Sequence, residues 1–222
     1  DRVLSEPANT AVHDYMCPDC GAIYQLKSKN GMFGRVVPNS AYAPKMAAIE
    51  NGRLPHYVFL QYSRATWSVT DLFVVPGHFM SAAVIQQRNP LRATARRAGW
   101  VGSNILIGQL PPDARVEIVS RGLVREPDQV REDWRRYSFL QSDERSRGGW
   151  GADTLSCVRT LQQETGEREF TLRAFYARFK EELALWHPAN QHVEDKIRQQ
   201  LQVLRDGGVL LFLERGRYRV LS

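Results

Sequence analysis

The chain has 222 residues, enough for one large domain or two small ones, and its 43% hydrophobic and 24% charged residues exclude a disordered tail and a collagen-like repeat. Its 30 Lys and Arg against 24 Asp and Glu leave a net charge of +6, too small to identify a partner on its own. No apolar run approaches the roughly 20 residues of a membrane helix. Because Asp1 is not a Met and opens no signal-peptide pattern, we expect the natural chain to begin further upstream.

The first part of the chain alternates two kinds of segment. Short runs rich in β-branched and aromatic residues predict strands at residues 22–29, 57–61, 72–75, 104–107 and 115–119. Apolar residues at helical spacing predict helices near residues 41–51, 81–88 and 126–140. We therefore predict a mixed α/β domain over residues 1–140.

A polar, glycine-rich segment follows, and we predict residues 141–151 to be a linker. In residues 152–222 the apolar spacing predicts three helices, and Pro188 ends the second. Two short β-runs then flank Glu214-Arg215-Gly216-Arg217 and predict a basic hairpin. This is the order of a winged helix-turn-helix domain, which places its third helix in the major groove of DNA and its hairpin on the backbone.

The third helix of this predicted domain has a polar outer face. Asn190 is its predicted N-cap, and Val193, Ile197, Leu201 and Leu204 are its predicted inward residues. The outer face and the hairpin form a predicted DNA surface of Asn190, Gln191, His192, Arg198, Gln199, Arg215 and Arg217. A polar face is also typical of any surface helix, and many winged helices bind only proteins.

Two tracts of the first domain lack acidic residues. Residues 20–49 carry only basic charges, at Lys27, Lys29, Arg35 and Lys45, and residues 72–112 contain an arginine cluster that ends at Trp100. Such tracts indicate a surface for a polyanion, although two solvated faces without carboxylates are the plainer alternative. In the second tract Arg92, Arg96 and Arg97 would bind phosphates. Trp100 would stack on a base or pack against a methyl group, unless it is a core anchor.

Residues 12–29 contain the candidate catalytic groups. Side chains alternate along a strand, so Gln25 and Lys27 share one face. If the chain turns back between residues 17 and 20, Asp14 on the preceding strand lies beside Gln25. A carboxylate, an amide oxygen and an ammonium around one point suit phosphodiester hydrolysis. Asp14 and Gln25 would bind Mg²⁺, and Lys27 would orient the attacking water and balance charge.

The sequence Cys17-Pro18-Asp19-Cys20-Gly21 is the turn of a zinc knuckle, whose tetrahedral site needs two further ligands. Cys157 lies at an apolar helix position and is predicted to be core. We therefore expect Cys17 and Cys20 to form half of a structural Zn²⁺ site, with the missing pair upstream of Asp1. A redox-active pair is the alternative, but no thioredoxin-like βαβ pattern accompanies it. Three cysteines make no disulfide framework, so we expect a reduced, cytoplasmic protein.

Together these segments resemble the DpnI family of methylation-dependent restriction endonucleases. The resemblance is carried by residues 14–29, by Pro90-Leu91 and Thr94-Ala95-Arg96-Arg97-Ala98-Gly99-Trp100, and by Lys196-Ile197-Arg198-Gln199-Gln200-Leu201-Gln202 near the end. The three blocks span nearly the whole chain in the same order. The pattern Asp-x(10)-Gln-x-Lys also looks like the PD-(D/E)xK nuclease motif, with His13 where proline is usual.

The resemblance implies a PD-(D/E)xK nuclease-like mixed sheet with a zinc knuckle, followed by a winged helix. It implies a monomeric, Mg²⁺-dependent enzyme of a bacterial or archaeal restriction system that cuts double-stranded DNA at GATC sites carrying N6-methyladenine, with no membrane partner. It also implies catalytic positions for Asp14, Gln25 and Lys27, and contact between Trp100 and the adenine methyl groups. The family has Glu at the position of Gln25, so this residue is either native, as in some branches of the superfamily, or a substitution that weakens metal binding.

Two other function classes stay open. A non-cleaving reader of methylated DNA is favoured by Gln25 and opposed by Lys27, because a disabled site has no use for a buried ammonium. A zinc-ribbon and winged-helix subunit of a transcription assembly predicts large partner interfaces and no metal-dependent cutting. Incubation with methylated GATC duplex and Mg²⁺ separates these classes from a nuclease.

Overall fold

A computed structural model of the chain describes residues 4–5 and 13–221. In its first part the strands are β1 (Leu4–Ser5), β2 (Tyr15–Met16), β3 (Ile23–Asn30), β4 (Val37–Ala41), β5 (His56–Ser63), β6 (Ser68–Val75), β7 (Ile85–Gln87), β8 (Gly102–Ile105), β9 (Val116–Ser120) and β10 (Leu123–Val124). The helices of this part are α1 (Tyr42–Glu50), α2 (Pro127–Arg136) and α3 (Phe139–Ser142).

The strands of the first part form a large mixed sheet and a small antiparallel one. The large sheet has the order β1-β2-β3-β5-β6-β9-β10, and the small sheet has the order β4-β8-β7. Strands β3 and β5 are parallel and place Gln25 opposite Tyr57. A parallel pair needs a crossover connection, and β4 and α1 form it here. This crossover brings α1 to the strands that carry the candidate catalytic residues.

The second part of the chain has the three helices and the C-terminal hairpin predicted for a winged helix-turn-helix, and one further strand, between the first two helices, that was not predicted. It consists of α4 (Trp150–Thr165), β11 (Glu169–Thr171), α5 (Leu172–Trp186), α6 (Val193–Asp206), β12 (Leu210–Glu214) and β13 (Arg217–Val220). The three strands form an antiparallel sheet in the order β11-β13-β12. The predicted inward residues Ile197, Leu201 and Leu204 are fully buried, which confirms the face assignment of α6.

Three predictions about local structure were wrong. Residues 81–88 form a short 3-10 turn at Ala82–Val84 and then β7, because Ile85 pairs with Ile105 at the edge of the small sheet. Residues 126–140 are divided into α2 and α3, with the buried Tyr137 between them. Asn190 is not the N-cap: its Oδ1 accepts from the backbone N–H of His192 in a turn before α6 begins.

The segment predicted as a linker contains folded structure. Residues Glu144–Gly149 form 3-10 turns, and the Oγ of the buried Ser146 donates to Oε1 of the buried Gln200 at 3.0 Å. Trp150 is also buried, and its ring stacks on His187 with 4.0 Å between the centroids. The segment therefore packs between the two parts of the chain.

Two polar networks join the two parts directly. The buried carboxylate of Asp153 accepts from Ser81 Oγ and bonds to His187 Nε2 at 2.8 Å. At a second point the Arg159 guanidinium donates to Asp113 at 2.7 and 2.9 Å. Buried polar groups bonded in this way fix the geometry of the elements that carry them. Across the described residues, no helix combines the length and apolarity needed to cross a membrane.

Candidate active site and nucleic-acid surface

Strands β2 and β3 bring Asp14 to Gln25. The chain turns back at residues 17–20, so Tyr15 pairs with Tyr24, and the Asp14 N–H donates to the Tyr24 carbonyl at 2.8 Å. The carboxylate oxygen Oδ2 of Asp14 accepts from the backbone N–H of Leu26, also at 2.8 Å. Leu26 lies between Gln25 and Lys27, so this bond holds the carboxylate beside the two residues predicted to act with it.

Lys27 lies on the same face of β3 as Gln25 and is more exposed to solvent. Burial lowers the pKa of Lys27, and the nearby charge of Asp14 opposes that shift. Lys27 also lines an open groove of about 340 Å³, bounded by Lys29 and the loop that precedes β4. Lys27 therefore borders the groove and lies close enough to Asp14 for their charges to interact.

A second ammonium enters this site from α1. Lys45 is completely buried, and its Nζ donates to Gln25 Oε1 at 3.3 Å. The same nitrogen lies 5.0 Å from the centroid of the Tyr57 ring, within the range of a cation–π contact. Burial lowers the pKa of Lys45 to about 7; the charge of Lys27 acts in the same direction and that of Asp14 in the opposite one.

Tyr57 and Asn39 complete the buried side of the site. Tyr57 is opposite Gln25 on β5, and its hydroxyl oxygen accepts from Asn39 Nδ2 at 3.4 Å. Burial raises the pKa of this phenol well above its usual value, so it stays protonated. The other amide atom, Asn39 Oδ1, is buried and has no hydrogen-bond partner in the structure. The site thus contains a carboxylate, two ammonium groups, two amides and a phenol.

This donor set fits one magnesium ion better than two. Mg²⁺ prefers oxygen ligands and binds through one or two carboxylates together with waters and substrate phosphates. Asp14 and Gln25 offer one carboxylate and one amide oxygen, and the Asp14 charge is balanced in part by two lysines. A divalent ion would therefore bind here with the help of a phosphate.

Residues 17–22, which carry the predicted zinc knuckle, form a tight turn. Cys17 N–H donates to the Ala22 carbonyl at 2.8 Å, and Gly21, with φ of +68°, donates back to the Cys17 carbonyl at 2.9 Å. The backbone N–H of Cys20 helps to lower the pKa of the Cys17 thiol. Within residues 4–5 and 13–221, no group of three or more His, Cys, Asp or Glu could hold a metal. Among the described residues, Cys17 and Cys20 are therefore without the two further ligands that a tetrahedral zinc site needs. Cys157 is buried, as predicted for a core residue.

The predicted DNA surface of the second part divides into exposed and engaged side chains. Gln191, His192 and Arg198 are exposed, but Arg198 pairs with Asp195. Gln199 is half-buried and accepts from Lys196 Nζ at 2.8 Å, so it faces the linker side of α6. The wing residues Arg215 and Arg217 are exposed, and Arg217 pairs with Glu214 and Glu169. None of the ion pairs between described residues includes Arg215.

Comparison with known protein families matches residues 2–143 to DpnI, the Dam-replacing family, and residues 146–220 to the Dam-replacing HTH domain. The chain belongs to the DpnI family. Membership implies a methylation-dependent restriction endonuclease whose helix-turn-helix domain binds DNA. The two matched segments meet within the glycine-rich segment that the sequence indicated as a boundary.

In this DpnI-family chain the arginine-rich loop lies between β7 and β8. Arg92, Arg96 and Arg97 are exposed, and the Arg97 guanidinium lies 4.7 Å from the centroid of the Trp100 ring. Trp100 is half-buried and packs so closely on Gly102 that a Cβ there would lie 2.7 Å from the ring. The Tyr42 N–H donates to the Val101 carbonyl at 3.1 Å. The loop is therefore anchored at the start of α1, the helix that carries Lys45.

The prediction of the site did not include Lys45, Tyr57 or Asn39. A signal for Lys45 was present: it lies four residues before the buried Ile49 and thus on the inward side of α1. Asn39 and Tyr57 gave no such signal, because an Asn in an irregular segment and an aromatic residue in a strand are common in any α/β domain.

Proposed function

We propose that this chain is a type II restriction endonuclease that cleaves double-stranded DNA at GATC sites carrying N6-methyladenine, by metal-assisted phosphodiester hydrolysis. The observation that supports it most is the convergence of Asp14, Gln25 and Lys27 at one corner of the sheet in a DpnI-family chain. The partner is methylated duplex DNA, and the expected state is a monomer. The candidate DNA contacts are the exposed residues of the β7–β8 loop, α6 and the wing.

Asp14 and Gln25 would hold Mg²⁺ through their side-chain oxygens. When bound, the ion supplies positive charge to the scissile phosphate and lowers the pKa of a coordinated water. Lys27 would donate a hydrogen bond to the attacking water and offset the negative charge that develops on phosphorus-bound oxygen. A structural Zn²⁺ at Cys17 and Cys20 needs two ligands from outside the described residues, so no step of the reaction is assigned to it.

Methyl dependence would come from small contributions that repeat. Burying one methyl group contributes on the order of 1 kcal/mol, and methyl groups on both strands contribute about twice that if they act independently. Trp100 offers an apolar ring for this purpose in the first part of the chain. If the winged helix also contacts the methylated adenines, the binding preference for methylated duplex would be multiplied. We expect at least about tenfold weaker binding to unmethylated duplex.

The test is a single-turnover cleavage assay on fully methylated, half-methylated and unmethylated GATC duplexes with Mg²⁺. We expect the parent to cleave the fully methylated duplex. In Asp14→Asn and Lys27→Ala the cleavage rate should fall about 100-fold. Lys180→Ala is the control, because Lys180 is an exposed lysine on α5 that belongs neither to the candidate site nor to the candidate DNA contacts. Equal cleavage of methylated and unmethylated duplexes, or equal activity of the Lys27 and Lys180 variants, would contradict the proposal.

A non-cleaving reader of methylated DNA is the second candidate, and one contact favours it. The Gln25 amide brings no negative charge to the site, and the Lys45 ammonium that it contacts adds a positive one, so the site attracts a divalent ion only weakly. This function predicts at least tenfold selective binding to methylated GATC duplex with no product in the presence of Mg²⁺. It also predicts that replacement of Lys27 leaves the biological activity of the protein unchanged.

A further inference from the structure

The Lys45 ammonium is unusual because it is fully buried and because its hydrogen-bond acceptor is uncharged. It is 0% exposed and donates to an uncharged amide oxygen, and none of the ion pairs between described residues includes it. Taking an ammonium out of water costs several kcal/mol unless hydrogen bonds and charges around it compensate. Here the compensation comes from Gln25 Oε1, the Tyr57 ring and the Asp14 charge. The residues of the candidate nuclease centre therefore stabilise the buried charge of Lys45.

The chemistry of the two side chains dictates which atom of Gln25 faces α1. In its protonated form the Lys45 side chain has three donors and no acceptor, so it contacts the amide oxygen and not the amide nitrogen. An amide oxygen has two lone pairs, and the bond to Lys45 uses one of them. The second lone pair remains available to a cation or a water. The contact thus orients Gln25 as an oxygen ligand and keeps its NH₂ group away from Lys45.

A carboxylate at position 25 would behave differently beside Lys45. The side chain of Glu has nearly the same length, so its oxygen would lie at about the same distance from Nζ and form a buried ion pair. That pair would consume the negative charge that a divalent ion needs. A glutamate at position 25 is therefore useful as a metal ligand only when the lysine at position 45 is absent.

We infer that Lys45 is a positioning residue of the nuclease centre. Residues 25 and 45 act together: the lysine orients the side-chain oxygen of Gln25, and it would neutralise the negative charge of a glutamate placed at position 25. This inference rests on the proposed function for its meaning in catalysis. The effect of residues 25 and 45 on the affinity for a divalent ion can be measured without DNA.

The experiment measures Mn²⁺ binding to the full chain by electron paramagnetic resonance of the free ion, in a double-mutant cycle. The variants are Gln25→Glu, Lys45→Met and the double variant, and Met is chosen because it fills the space of lysine without a charge. We expect Gln25→Glu to bind Mn²⁺ within about threefold of the parent. We expect the double variant to bind at least tenfold more tightly than Gln25→Glu. Lys29→Met is the control for loss of a lysine elsewhere on the site-bearing strands.

Gln25→Glu that binds Mn²⁺ as tightly as the double variant would overturn the inference, as would a folded double variant with no measurable Mn²⁺ binding. Thermal melting and circular dichroism identify variants that fail to fold. If Lys45→Met is unfolded, Lys45→Gln replaces it in the same cycle, because Gln keeps a donor for Gln25 Oε1 without the charge.

The cleavage assay separates failure of this inference from failure of the proposed function. If the effects of Gln25→Glu and Lys45→Met on Mn²⁺ affinity are coupled but no variant cleaves DNA, the role of Lys45 is supported and the nuclease function is refuted. Cleavage by the parent with uncoupled affinities would support the nuclease and refute the role of Lys45. In an active enzyme, Lys45→Met lowers the single-turnover rate about tenfold, and Gln25→Glu restores it only in the Lys45→Met background.

Discussion

Replacement of Asp153 by alanine tests the polar network that joins the two parts of the molecule. The Asp153 side chain is 2% exposed and bonds to Ser81 of the first part and to His187 at the end of α5. Removing one partner of a buried, charged network costs about 3–5 kcal/mol, because the remaining polar groups lose their hydrogen bonds without gaining water. Asp153→Asn keeps the shape and one acceptor, so we expect a smaller loss of about 1–2 kcal/mol.

Urea unfolding followed by tryptophan fluorescence is the measurement. Trp150, one of five tryptophans, stacks on His187, so part of the emission change reports on this junction. At roughly 2–4 °C per kcal/mol for a chain of this size, Asp153→Ala should also lower Tm by about 10 °C. Asp128→Ala is the control, because that side chain is 96% exposed and its loss should cost less than about 1 kcal/mol. An Asp153→Ala variant as stable as the control would refute the assignment of this network as a structural junction.

Three further outcomes follow from particular residues. A Cβ at Gly207 would lie 2.4 Å from the Phe139 ring, so Gly207→Ala should lower the free energy of unfolding by about 1–3 kcal/mol in urea, while Gly34→Ala, with open space around it, should not. Burial lowers the pKa of His56 to about 4, so the stability it contributes is complete above its unfolded pKa of about 6.5 and is lost as the pH falls toward 4. His56→Gln should therefore reduce the loss of stability between pH 7 and pH 4.5, measured by urea unfolding, by about 2–3 kcal/mol, and an unchanged loss contradicts this account. Arg96→Ala should reduce the slope of log K against log salt by about 0.9 in a fluorescence anisotropy titration with duplex DNA, and an unchanged slope means that Arg96 contacts no phosphate.

The predictions that succeeded concern neighbours along the chain. Asp14 and Gln25 are separated by one short turn, and the return of β3 along β2 follows from the Cys-Pro-Asp-Cys-Gly sequence between them. The buried face of α6 likewise follows from helical periodicity alone. The failure at residues 81–88 has the opposite cause. Ile85 forms a strand because β8 offers it a partner, and that partner lies about twenty residues further along the chain.

The sequence by itself determined the three helices and the hairpin of the second part, the shared face of Gln25 and Lys27, and the family to which its motifs point. Each of these depends on side-chain direction within one helix, strand or turn, which the periodicity of the backbone dictates. Only the tertiary structure decided that Lys45 lies against Gln25, and that Ser81 and His187, which are 72 and 34 positions from Asp153 along the chain, share its carboxylate. Periodicity tells which way a side chain points from its own element, whereas the packing of the whole chain decides which other element it meets.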